Sequence, residues 1–223
     1  MSGNIRDIKD RIDSVKKTEK ITLAMKMVAA AKFKRNVTQL DHIKEYGDGI
    51  GLIISSLSKR LYLDDQIPDL LKKNSSNQTA LIIISSDRGL CGGFNANLFK
   101  EVRAQLEKNN IVDLYIIGNK AYQMFKSKDV KIVDHVPTFS GENSEAEMAN
   151  YINSIINSYK DGVYSKVSIV YNEFVSALSS NQITQQLLPI ELPDWNPDVI
   201  SRSDFIYESS KRSSLDTLLT KYI

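Results

Sequence analysis

The sequence predicts an α/β protein: a long N-terminal coiled-coil helix followed by a Rossmann-like, mainly parallel α/β domain. Three observations carry that prediction. Residues 4–46 contain neither glycine nor proline and are rich in Ile, Lys, Arg, Ala, Met and Glu, which favour helix. Beyond residue 78, short apolar runs alternate with stretches of helical spacing, the pattern of a mainly parallel sheet covered by helices. The glycine-rich turn "SSDRGLCGGFN", Ser85–Asn95, stands between the first such strand and the first such helix, where a phosphate-binding turn would sit.

The arm, residues 1–58, is expected to form one helix from about Asn4 to about Leu57. Gly47, Gly49 and Gly51 loosen its far end, yet "IGLIISSLSKRLY" resumes helical spacing. At about 1.5 Å per residue such a helix measures on the order of 80 Å, against about 30 Å for a compact domain, so it is expected to project well beyond the body. Ile5, Ile8, Ile12 and Val15 recur at spacings of three and four, the seam of a coiled coil. The same face continues through Leu23, Phe33, Val37 and Leu40, with Glu19 and Lys26 interrupting it. Between Ile21 and Ala31 a second face, Ile21, Ala24, Met25 and Val28, is apolar too, and a helix apolar nearly all round is one that something encloses.

Leaving those four seam residues in water forfeits roughly 6–12 kcal/mol, comparable to a domain's whole net stability of about 5–15 kcal/mol. Residues 58–223 contain no second long heptad segment, so the partner is expected from another chain or from sequence past Ile223. Two other readings of the arm are weaker. A bundle helix needs further bundle helices, and a nucleic-acid arm needs one basic face, whereas Asp7, Asp10 and Asp13 interleave the positive residues.

Charge is uneven along the chain. Residues 1–35 hold ten Lys or Arg and four Asp or Glu, a net +6, which leaves −4 for the remainder of a chain whose total is +2. The single cysteine, Cys91, excludes an internal disulfide and any multi-thiolate metal site, and suits a reducing compartment. No apolar signal core opens the chain and no apolar run reaches about 18 residues, so neither secretion nor a membrane span is expected. His42 and His135, far apart in sequence, read as solvated or singly packed residues.

A polar connector over residues 59–78 leads into a body over residues 79–208. Strands are expected at Ala80–Ser85, Val112–Ile117, Val130–Val136 and Lys166–Phe174, with helices at Asn95–Lys108, Lys120–Lys126 and Ser144–Tyr159. The last extended run, "QITQQLLPIEL", carries Pro189 and so favours a sheet edge. "DWNP" reads as a turn and "DFIYES" as a short strand. Residues 209–223 read as the start of a further helix, with Ser213 or Ser214 as N-cap.

The glycine turn supports two readings. Gly89, Gly92 and Gly93 would let backbone amides approach an anion at a helix start, as in a nucleotide-dependent α/β enzyme. Yet the turn lacks the G-x-G-x-x-G spacing and the Lys-Ser/Thr pair of a Walker loop, and no acidic residue closes "VDLYIIGN" to bind a ribose. Asp87 would also set a negative charge beside any phosphate. The other reading is a tight turn available for protein contact, with Asp87 and Arg88 as interface charges. No catalytic constellation accompanies it: Cys91 has no nearby base, and there is neither G-x-S-x-G nor a histidine pair.

Together, "IRDIKDRIDSVKKTEKITLAMKMVAAAKFKR" and "SSDRGLCGGFN" closely resemble the γ subunits of F-type ATP synthases, and the similarity extends over essentially all 223 residues, including "YESSKRSSLDTLLTKYI". The resemblance implies a non-catalytic central-stalk rotor that binds no nucleotide or other cofactor of its own. Its N-terminal helix would pair with a C-terminal helix as a shaft turning inside a ring of α and β subunits. The α/β body would sit near the membrane against the ε subunit and the c-ring. By position, Lys20, Thr22, Met25, Lys26 and Lys32 resemble the shaft segment that meets the β subunits, while Asp87, Arg88 and Cys91 match the loop motif facing the ring. Ile5, Ile8, Ile12 and Val15, with Arg6, Lys9 and Arg11 among them, resemble the part twisted against the C-terminal helix. The implied location is peripheral, on the cytoplasmic face of a bacterial plasma membrane or the equivalent side of an organelle membrane. In that family the chain runs past the position of Ile223 into the C-terminal helix, so the sequence reads as a γ chain lacking that helix.

Overall fold

The computed structural model of the chain describes residues 2–62, 68–108, 111–139, 144–176, 179–191 and 211–223. Two compact units divide the chain, Met1–Ile53 and Ile54–Ile223.

The first unit belongs to α1, which runs Ser2–Tyr62, 61 residues. It outlasts the expected end near Leu57. Glycine in a helix interior costs only about 1 kcal/mol, and a Cβ built on Gly47 or Gly49 would meet nothing within 4 Å, so neither marks a close approach of another segment. A glycine stops a helix when it takes the left-handed conformation, and none of those in α1 does. From Ile5 to Asn36 every residue of α1 is exposed, and only Val37, Leu40, Gly47 and Ile50 interrupt that state before Gly51.

The second unit is built on a five-stranded sheet in the order β3-β2-β1-β4-β5. The strands are β1 (Thr79–Ile84), β2 (Val112–Ile117), β3 (Lys131–Val136), β4 (Lys166–Ser176) and β5 (Ser179–Leu188). β1 pairs in parallel with β2 and β4, and β2 in parallel with β3. β5 alone is antiparallel, closing a hairpin on β4. It forms the edge expected of the run that contains Pro189, which follows its last residue. The helices are α2 (Phe94–Lys108), α3 (Asn119–Phe125), α4 (Ser144–Lys160) and α5 (Lys211–Tyr222).

Alternation along each strand divides the core in two. Leu81, Ile83, Leu114, Ile116 and Val170 pack with Leu98 and Val102 of α2 and Ala121 and Phe125 of α3. On the opposite face Tyr115 meets Tyr151 of α4 edge-on at 6.2 Å. With both faces covered, β1 and β2 read as nearly continuous apolar runs. Asp113 is the exception, a buried carboxylate that accepts bonds from Lys131 Nζ at 2.8 Å and the Tyr164 hydroxyl at 3.1 Å. Burial and the neighbouring Tyr115 push the Tyr164 phenol far above its usual range, so it stays a donor. The connector is less polar than its sequence implies: among its described residues a 3-10 turn, Asp69–Leu71, buries Leu70 and Leu71.

α5 begins at Lys211, so Ser213 and Ser214 lie in its first turn rather than at its cap. Among its described side chains Leu215 and Leu219 are buried, four apart on one face. "DWNP" and "DFIYES" fall outside the described residues.

Candidate functional site

The candidate residues fall in the two units. On α1, Val15, Glu19, Thr22 and Lys26 continue the line of Ile5, Ile8 and Ile12 at spacings of four and three, so Thr22 and Lys26 prolong the seam face. Ile21, Met25, Val28 and Lys32 form a second line by the same spacing, roughly 140° round the helix from the seam at 3.6 residues per turn. Lys20 lies beside the seam, on the line of Lys16, Leu23 and Met27. All of these side chains are exposed, Met25 by 66%. Thr22 Oγ1 donates to the carbonyls of Thr18 at 3.0 Å and Glu19 at 2.9 Å, and Thr18 donates in the same way to Ser14 at 3.0 Å. These hydroxyls are satisfied by their own helix.

The glycine turn joins β1 to α2 and is tied down at both ends. Asn95, in the first turn of α2, accepts from Ser86 N at 3.3 Å and donates to Ser86 Oγ at 2.7 Å and to Cys91 Sγ at 3.1 Å. Ser86 Oγ donates to the Arg88 carbonyl at 2.6 Å. The half-buried Asp87 carboxylate accepts from the backbone N–H of Asn119 at 2.9 Å, the backbone N–H of Thr138 at 3.1 Å, and the Thr138 hydroxyl. Burial pushes its pKa upward, but these hydrogen bonds and the nearby His135 outweigh it and hold Asp87 below its usual value. Asp87 therefore joins the exit of β1 to the start of α3 and to the segment leaving β3.

Beside it lies a second junction. Gly118 adopts φ of 105°, and a Cβ there would come within 2.2 Å of the Ser85 carbonyl oxygen. The Ser85 side chain is buried and accepts from Ala121 N at 2.9 Å. Glycine is required at 118 both by conformation and by that close approach.

Arg88, Leu90 and Cys91 are exposed at the turn's tip. Leu90 was not among the sequence candidates, yet it is fully solvent-accessible at 109% and sits at φ of 62°. A non-glycine residue in the left-handed region costs about 1–2 kcal/mol. The available signal was a leucine inside a glycine-rich turn, where small or polar residues serve better. Thr138 was also missed, and nothing in the sequence links it to Asp87. His135 stacks on Tyr122 with ring centroids 4.1 Å apart, a singly packed histidine as expected. Among the described residues no cluster of His, Cys, Asp or Glu could hold a metal, and no helix is long and apolar enough to cross a membrane.

A helix exposed from Ile5 to Asn36 with an apolar seam, followed by a Rossmann-like unit with an inwardly tied glycine turn, defines a component of a protein assembly. Comparison with known proteins agrees. The profile of a family described as ATP synthase matches residues 4–223. The ATP synthase gamma chain of Glaesserella parasuis is 36% identical over 223 residues, covering 98% of this chain and 77% of that one. Those of Pasteurella multocida, 34% identical over 226 residues, and Prosthecochloris aestuarii, 36% over 235, are likewise covered to 77%, with 98% and 99% of this chain aligned. The chain belongs to the ATP synthase gamma chain family, the central-stalk rotor subunit of F1Fo ATP synthase, which is not itself catalytic. A chain from the cryo-EM structure of the Tetrahymena thermophila mitochondrial ATP synthase central stalk and c-ring shares the fold, with a TM-score of 0.64 and 24% identity over 91% of this chain and 87% of that one. Family membership sets aside the nucleotide-dependent enzyme as a reading of Gly89–Gly93.

Proposed function

We propose that this rotor subunit couples proton-driven c-ring rotation to ATP synthesis and hydrolysis through two sets of contacts with the ring of α and β subunits. One set is Lys20, Thr22, Met25, Lys26 and Lys32 on α1, and the other is Asp87, Arg88 and Cys91 in the glycine turn. Ile5, Ile8, Ile12 and Val15 form the seam against a further helix, and the second unit meets the ε subunit and the c-ring. The complex holds the chain peripherally on the cytoplasmic face of a bacterial plasma membrane, or the equivalent side of an organelle membrane.

The observation that carries this reading is the seam: Ile5, Ile8, Ile12 and Val15 are 62%, 52%, 47% and 61% exposed in the chain alone. Burial of each is worth roughly 1.5–3 kcal/mol. A partner surface supplies that burial, and a helix whose faces differ presents each site of the ring with a different surface as it turns. Differential contact shifts each site's conformational equilibrium, and with it nucleotide affinity. The positive N-terminal arm suits acidic partner loops, since complementary charge mainly sets specificity and encounter.

Met25→Lys tests the reading, because it places an unpaired charge in the proposed contact and leaves the fold of either unit untouched. In membrane vesicles carrying the assembled complex, ATP-driven proton pumping per ATP hydrolysed should fall. Normal pumping efficiency in that variant removes Met25 from the contact set.

A further inference from the structure

We propose that Asp87 is a positioning residue that makes the Asp87–Gly93 turn a rigid mount, and that the mount presents Leu90 to an apolar socket on a neighbouring subunit whose rim offers a carboxylate to Arg88. The inference rests on the ring-contact reading and revises it at one residue: Asp87 leaves the contact set and holds the turn in place, and Leu90 joins it.

Leu90 is unfavourable twice over within its own chain. Its side chain is wholly in water, and its backbone holds a conformation that glycine or asparagine adopts more readily. Among the described residues no packing calls for leucine there, so burial against another surface is what would make this side chain favourable. Strain of this kind persists when its surroundings over-determine it, and the surroundings here do so. Asn95 and Ser86 hold the turn against α2. Asp87 holds it to Asn119 at the start of α3 and to Thr138 beyond β3. The Asp87 carboxylate is thus engaged within the chain, and the turn's outward chemistry comes from Arg88 and Leu90. A mount ordered before association loses less conformational freedom on docking. An exposed cation two residues from an exposed leucine matches the usual interface arrangement of an apolar centre with a polar rim.

The test uses the full chain reconstituted with purified α and β subunits, reading the apparent affinity with which it restores ATP hydrolysis. Amide hydrogen exchange reports on residues 86–95, with residues 112–117 as a check that the sheet is intact. Leu90→Ala should weaken association about tenfold, within the range of a single buried anchor, and leave exchange unchanged. Asp87→Ala should speed exchange in the turn, leave residues 112–117 protected, and weaken association by a similar factor. Asp87→Asn, which keeps one acceptor oxygen, should fall between Asp87→Ala and the wild type. The double variant Asp87→Ala/Leu90→Ala should be little weaker than either single one, because a loose mount has already lost its anchor.

Wild-type association by Leu90→Ala overturns the anchor, and wild-type association by Asp87→Ala with a loosened turn overturns the positioning role. Factors that multiply in the double variant overturn the link between them. If Met25→Lys weakens association and Leu90→Ala does not, this inference falls alone. If neither does, the ring-contact reading falls with it.

Discussion

Isoleucine meets two opposite fates in this chain: Ile82, Ile83 and Ile116 in the sheet are at most 1% exposed, whereas Ile5, Ile8 and Ile12 on α1 are 47–62% exposed. The transfer free energy of the side chain is the same in both places. In the second unit the strands, α2, α3 and α4 complete the burial, so the stabilisation belongs to the chain itself. Along α1 the side chains stay exposed in the chain alone, so under the proposed seam contact the same stabilisation belongs to the assembly. Sequence pattern alone does not separate these cases, because three-and-four spacing marks an apolar face without saying whose atoms cover it.

Substitutions can break or sharpen that contrast. Gly118→Ala should have the largest effect, about 4 kcal/mol of unfolding free energy read by urea titration, because the new Cβ meets the Ser85 carbonyl at a positive φ. Next comes a matched pair. Ile116→Ala should destabilise the isolated chain by about 2–5 kcal/mol, while Ile12→Ala should change it by less than about 0.5 kcal/mol and yet lower the melting temperature of the assembled complex. Equal losses in the isolated chain would show that α1 buries its seam without a partner.

Acid gives a smaller effect. Asp87 is held below its unfolded value of 3.8, so its contribution is complete well above that value and is lost as pH falls through the lower folded one. The advantage of wild type over Asp87→Asn, of order 1 kcal/mol at pH 7 for a partly exposed group, should shrink steadily below about pH 4. An advantage that does not vary across that range would mean the carboxylate's charge is irrelevant to the clamp. Smallest of all, Leu90→Asn should raise unfolding free energy by about 0.5–1 kcal/mol, since asparagine tolerates the left-handed region. A loss of stability instead would mean that Leu90 is packed within its own chain.

Much of the second unit was legible in the sequence. β2 occupies Val112–Ile117 as expected, and β1 and β4 shift by no more than two residues at either end, because buried parallel strands write themselves as compact apolar runs. The edge position of β5 could be read from Pro189. Helix ends were less legible: α1 continued to Tyr62, past the end expected near Leu57, and α5 began before the serines that looked like caps. The clamp on the turn could not be read at all. Asp87 and Thr138 lie 51 residues apart, and only the parallel pairing of β1, β2 and β3 brings the strand exits to the same end of the sheet. Leu90 was hidden for a related reason, since the glycines around it advertise backbone freedom and draw attention from the one bulky side chain among them.

The threonines of α1 have a mechanical corollary. With their hydroxyls turned back onto the carbonyls of the preceding turn, Thr22 and Thr38 offer methyl groups to whatever passes over them. With the donors already engaged, only acceptor lone pairs remain there for a directional bond to a surface sliding across. Under the proposed ring contact, fewer hydrogen bonds would then need to be broken and remade at these two positions as the part turns.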